Sequence, residues 1–157
     1  MLGSSTIIEE IEATRKSGLA SLAMFYYDFR ECQKRDQRAL LSSALVQLCR
    51  QSDFYYDILS KFYLEHASGS QHPSDDALVG CLKDIVRLPG QVPIFLIVDT
   101  LDECPNTSSL SSAREKALML VEDLIKSRVE NLRMLHHYNH RSTPLHWASF
   151  NRQVDLA

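Results

Sequence analysis

Three carboxylates follow an apolar run at close quarters: Asp99, Asp102 and Glu103 come directly after Ile94-Phe95-Leu96-Ile97-Val98. In an open parallel sheet, ligands bind outside the carboxyl ends of the strands. Acids that follow a buried strand therefore stand where such a sheet does its chemistry. A magnesium ion on a nucleotide keeps several waters and takes only one or two carboxylates from protein. A strand-end Asp99 can supply one at fixed height while Asp102 or Glu103 orients a water. The plainer alternative is that these acids end a buried strand in solvent and open a turn with Cys104-Pro105-Asn106.

Two other sets of residues invite a chemical reading and carry less. His136, His137, His140 and His146 are close enough in sequence to suggest zinc, yet no nearby Cys or acid completes a tetrahedral set. They mark a junction between two parts of the chain. Cys32, Cys49, Cys81 and Cys104 are scattered, with no Cys-x-x-Cys pair. They read as reduced thiols that pack like small hydrophobes.

The elements that would position the acids come from the hydrophobic pattern. Thr6-Ile7-Ile8-Glu9 has the form of a capping box, so a helix is expected from Thr6, with Ile7, Ile8 and Ile11 inward and Gly18 as its left-handed stop. Residues 19–29 are nearly continuous in apolar and aromatic side chains, which suits a strand covered on both faces. Leu40, Leu41, Ala44, Leu45 and Leu48 repeat at helical spacing, as do Tyr55, Ile58, Leu59, Phe62 and Tyr63. Ser74 can cap a further helix with Asp75 and Asp76 in its first turn and Leu78, Cys81, Leu82, Ile85 and Val86 inward. Leu88-Pro89-Gly90 ends it. Residues 94–98 are the next strand, 113–128 a helix and 132–135 a shorter third strand. Helices alternating with buried strands predict an α/β fold, a three-layer parallel sheet with flanking helices.

Size and charge bound the rest. The chain has 157 residues and a formal charge of −3, enough for one domain and a fragment. It has no basic field for a phosphate-rich partner, which argues against nucleic acid. The apolar stretches fall short of the roughly 20 residues of a bilayer-spanning helix, and the first residues lack a signal peptide's basic start and apolar run. A soluble, cytoplasmic protein is expected.

The string from Ile94 through Val98-Asp99-Thr100-Leu101-Asp102-Glu103-Cys104-Pro105 resembles the Walker B segment of NACHT domains, nucleotide-switched P-loop NTPases of the signalling (STAND) class. The likeness extends through Phe25-Tyr26-Tyr27-Asp28-Phe29, Leu40-Leu41-Ser42-Ser43, Pro73-Ser74, Cys81-Leu82-Lys83 and Leu88-Pro89-Gly90, roughly residues 4–133, and is similar to the nephrocystin-type NACHT proteins of fungi. The resemblance implies ATP or GTP with magnesium as ligand. Asp99 would hold the magnesium through water, and Asp102 or Glu103 would polarise the water that attacks the γ-phosphate. It also implies a cytoplasmic receptor-like role and partners among NACHT and ankyrin proteins, or self-association.

Part of the family's machinery has no counterpart in the sequence. A phosphate loop needs Gly-x-x-x-x-Gly-Lys-Ser/Thr, because glycine backbones must approach the phosphates and Lys must neutralise them. The glycines are Gly3, Gly18, Gly69, Gly80 and Gly90, and none precedes a Lys. In the family that loop lies just before the helix that matches Thr6 onward, so the chain is expected to start beyond it and to lack one central strand. The sensor Arg of the strand after the Walker B helix is also missing, since Asn131-Leu132-Arg133-Met134-Leu135 runs into His136-His137-Tyr138. The expectation is a protein that is non-catalytic as it stands, with at most weak Mg-nucleotide binding. The alternative is an interaction or regulatory segment pairing with relatives through an exposed sheet edge or apolar helix faces.

Toward the carboxyl terminus, Thr143-Pro144-Leu145-His146-Trp147-Ala148 carries the Thr-Pro-Leu-His-x-Ala signature of an ankyrin repeat. Pro144 would start a helix and Leu145 and Ala148 would pack inward. Residues 1–135 are thus expected to form a truncated NACHT domain and 136–157 a junction with a partial ankyrin repeat.

Overall fold

The computed structural model describes residues 4–26, 37–67, 72–99, 110–127, 129–138 and 146–149. The elements in chain order are α1 (Ser4–Lys16), β1 (Ser21–Tyr26), α2 (Gln37–Cys49), α3 (Asp53–Ala67), α4 (Asp75–Arg87), β2 (Ile94–Asp99), α5 (Leu110–Lys126), β3 (Leu132–Tyr138) and β4 (His146–Ser149). They form one sheet in the order β1-β2-β3-β4. The first three strands are parallel and β4 runs antiparallel to β3. The α/β prediction holds at this level, with helices on both faces of a small parallel sheet.

Strand alternation divides the core in two. Ala23 and Phe25 of β1, Ile94, Leu96 and Val98 of β2, and Leu132 and Met134 of β3 join the inward residues of α2, α4 and α5 in the larger cluster. Leu22, Ile97 and Leu135 point to the opposite face, where Ile11 of α1 meets them with half-buried Ile7, Ile8, Met24 and Phe95 around the contact. Four helices thus share one face and a single helix covers the other. The larger cluster carries most of the stabilisation, since a fully buried Leu or Ile contributes roughly 1.5–3 kcal/mol and Leu40, Leu41, Leu82 and Ile85 are all sealed there.

Most of the predicted periodicity lands as read. Leu40, Leu41, Ala44, Leu45 and Leu48 are all buried in α2, and Leu78, Cys81, Leu82, Ile85 and Val86 in α4. Ser74 caps α4, its Oγ accepting the Ala77 N–H at 3.1 Å. Gly18 follows the end of α1 at φ 75°, and Gly90, in the turn beyond the Leu88 cap of α4, has φ 74°, a conformation that costs a residue without Cβ little. Two ion pairs tie the helices together, Arg38 to Asp75 at 2.9 Å and Lys83 to Asp123. Both are partly exposed and add little stability. No helix among the described residues is long and apolar enough to cross a membrane.

Five expectations are corrected. Helix α1 begins at Ser4, ahead of the proposed Thr6 cap. Leu19 is exposed and β1 starts at Ser21, because Leu19 belongs to the turn that reverses the chain after Gly18. Tyr63 is exposed, since α3 packs only Tyr55, Ile58, Leu59 and Phe62 on the core. The largest change is at residues 146–149, expected as ankyrin helix and found as strand β4. The outer edge of β3 offers backbone N–H and C=O groups that a short strand satisfies. Tyr138 and His146 are register partners there, and β3 runs past its predicted end at Leu135 to Tyr138.

Two described thiols are free, Cys49 and Cys81. Cys49 Sγ donates to Tyr55 O at 3.2 Å. Burial pushes both thiols up to about 11, and for Cys81 the Cys49 and Asp84 charges act in the same direction. Because the folded state holds these protons more tightly than the unfolded one, their contribution is fully present below the ordinary thiol value of 9.0 and declines as pH rises toward about 11. Stability measured by urea unfolding is therefore expected to fall across that interval, and neither thiol should react with a thiol-specific reagent at pH 7 until the chain unfolds. A native chain alkylated at Cys81 at pH 7 at the rate of a free thiol would contradict the burial.

Candidate active site

Parallel pairing brings the carboxyl ends of β1, β2 and β3 side by side. Tyr26 and Asp99, the last residues of β1 and β2, are register partners, and Val98 is opposite His136 of β3. By the alternation of side chains along a strand, Asp99 follows Phe95 and Ile97, and Tyr26 follows Leu22 and Met24, onto the α1 side of the sheet. Asp99 is half-buried and Tyr26 half-exposed.

Helix α1 meets them from the same side. The short turn at 17–20 reverses the chain between α1 and β1, so the helix start lies toward the strands' carboxyl ends. The lengths agree, since the 13 residues of α1 rise about 20 Å at 1.5 Å per residue and the six of β1 span about 20 Å at 3.3 Å per residue. The first turn of α1 contains no acidic residue. The first N–H groups of any helix have no partner within it, and with the positive end of the dipole they suit an anion. A helix start that favours anions and a carboxylate that favours cations thus share one end and one face of the sheet. Between them they could hold an anion with a hard cation attached.

The predicted acids divide at this point. Asp99 stands at the strand end, as expected. Asp102 and Glu103 lie outside the described residues. No group of three or more His, Cys, Asp or Glu among the described residues could hold a metal by itself. Tyr26 was not singled out from the sequence. Its place beside Asp99 comes from strand register, and the only hint in the residues was an aromatic at the end of an apolar run.

Tyr26 responds to this placement. Burial raises its phenol above the ordinary value of 10.0, and the Asp99 charge raises it further. Among the described residues, clefts lie at the other end of the strands. One of about 780 Å³ is lined by residues including Arg87, Gly90, Asn131 and Arg133. Another, of about 430 Å³, is lined by residues including Arg15, Arg50 and Asp53. Both open at the amino-terminal ends of the strands, away from Asp99, where open parallel sheets do not place their ligands.

A family model described as nephrocystin 3, N-terminal matches residues 2–136. Among curated proteins and solved structures, none matches the chain.

The Tyr26–Asp99 pairing has a direct test. Asp99→Asn should lower the Tyr26 phenol pKa while leaving it above 10.0, because burial is the larger cause. Ultraviolet or NMR titration of the tyrosines reads this. A Tyr26 titration that Asp99→Asn leaves in place would separate the two side chains.

Proposed function

Because the chain belongs to the nephrocystin 3 N-terminal family, we propose that it is a NACHT-like signalling segment whose sheet is of the P-loop NTPase kind, with Asp99 on the magnesium side of a bound ATP or GTP. The observation that carries this reading is the shared position of Asp99 and the start of α1 at the carboxyl end of a parallel sheet. The helix start would take phosphate oxygens on its free amides, and Asp99 would order the waters of the magnesium. The bound nucleotide would supply the triphosphate on which that magnesium rides. Asp102 and Glu103 remain the candidates for orienting a water.

These 157 residues contain no Gly-Lys pair. Without glycine backbones close to the phosphates and a Lys to neutralise them, the segment would lack most of the electrostatic support for phosphoryl transfer. Its binding of nucleotide is therefore weak and hydrolysis absent.

A second reading, an interaction segment for other NACHT-type proteins or for a second copy, is favoured by the outward side of α3. Tyr56, Tyr63 and Leu64, at i, i+7 and i+8, are exposed along one stripe there, and exposed large apolar residues that share a stripe mark contact sites.

Calorimetric titration with Mg-ATP and Mg-GTP separates the two. The expected outcome is a dissociation constant on the order of 1 mM, near −4 kcal/mol, lost in Asp99→Ala, with no phosphate release. Micromolar binding that survives Asp99→Ala would refute the assignment of Asp99. No binding heat together with association suppressed by Tyr63→Ser and Leu64→Ser would favour the second reading.

A further inference from the structure

Strand β1 is at one end of the sheet, and among the described residues no strand pairs with its outward side. Two of its outward-facing residues, Leu22 and Met24, nonetheless have their backbone groups satisfied. Ser21 N–H donates toward β2, to Pro93 O at 2.9 Å. Strand alternation then turns the N–H and C=O of Leu22 and Met24 the other way. Each of these residues is held by one glutamine side chain. Leu22 N–H donates to Gln51 Oε1 at 2.9 Å, and Gln51 Nε2 donates back to Leu22 O at 2.6 Å. Met24 N–H donates to Gln47 Oε1 at 2.9 Å, and Gln47 Nε2 donates back to Met24 O at 2.8 Å.

A primary amide offers one acceptor and a donor side by side, the same face that a residue of a neighbouring strand presents. The spacing also matches. Gln47 is in the last turn of α2 and Gln51 in the turn that continues it past Cys49, four residues on, about 6.0 Å at helical rise, and Leu22 and Met24 are one strand repeat apart, about 6.6 Å. The orientation of each amide is fixed, because a flipped one would set NH2 against N–H and oxygen against oxygen. The remaining hydrogens are used as well. Gln47 Nε2 also donates to Ser43 Oγ at 2.9 Å, and Gln51 Nε2 to Gln47 O at 2.8 Å.

We propose that Gln47 and Gln51 act as a surrogate strand that closes the β1 edge against pairing with a second copy of this chain. The edge would otherwise present Ser-Leu-Ala-Met-Phe-Tyr, an uncharged, apolar segment with unpaired backbone, which is the kind of edge identical chains add to. A second copy is the occupant this edge fits, since identical strands can pair with themselves about a two-fold axis. Edge pairing then requires that α2 first release β1. The inference is independent of the nucleotide reading.

Amide hydrogen exchange on the full chain, with sedimentation, tests the closure. In the native chain, Leu22 and Met24 should be protected to the same order as Ala23, whose N–H faces β2. In Gln47→Ala/Gln51→Ala, both should exchange at least about tenfold faster, and the variant should self-associate with concentration beyond the native chain. Unprotected Leu22 and Met24 in the native chain overturn the proposal, and so does a folded double variant that associates no more than the native chain. Should the double variant fail to fold, Gln51→Ala alone decides. It should speed exchange at Leu22 and leave Met24 protected, and equal acceleration at both, or none at either, counts against the surrogate strand.

Discussion

Everything in this fold depends on β2 having a parallel strand on each side and a packed layer on each face. Ile94, Leu96 and Val98 are sealed in the larger core and Ile97 in the smaller, while β1 and β3 take its backbone hydrogen bonds. A strand in that position tolerates no polar side chain until it leaves the sheet, so Asp99 can occur only where β2 ends. Parallel neighbours require crossovers, which is why α2, α3 and α4 stand between β1 and β2 and α5 between β2 and β3. The same parallelism gathers the strand ends. The position of the candidate site is thus a consequence of how β2 is buried.

The two edges of the sheet meet the same physical demand differently. Beside β3, β4 supplies a real antiparallel strand. Beside β1, two side chains of the α2 segment do so. In each case backbone groups of the outer parallel strand find partners within the chain. Among the described residues, helix α3 also offers surface, with Phe54, Tyr56, Tyr63 and Leu64 exposed. The sheet edge proposed for pairing from the sequence is closed on the β1 side.

What the sequence made legible follows from the range of the interactions concerned. The inward face of α4 and its Ser74 cap depend on neighbours three or four residues away, and every member was readable. The run at 94–98 signalled a doubly covered strand, and Asp99 could be placed from its neighbour alone. Residues 146–149 were misread because their signature is local, whereas the edge of β3 with which they pair is not. Tyr63 fell on the right period but beyond the reach of the core. Gln47 and Gln51 look like ordinary surface residues of a helix, and their role depends on β1 being an edge strand, which no local pattern states. Tyr26 beside Asp99 is likewise a matter of register between strands some 70 residues apart, as their numbers show.

The central claim is that Asp99 and the start of α1 together face a magnesium nucleotide. Paramagnetic broadening of backbone amide signals by Mn-ATP, with free Mn as control, tests it most directly, because it detects weak binding and reports where it occurs. The account predicts broadening of the first turn of α1, of Tyr26 and of Asp99, with Gly90 and Asn131 at the opposite strand ends unaffected. Broadening centred on Gly90 and Asn131, or none at saturating Mn-ATP, would contradict it.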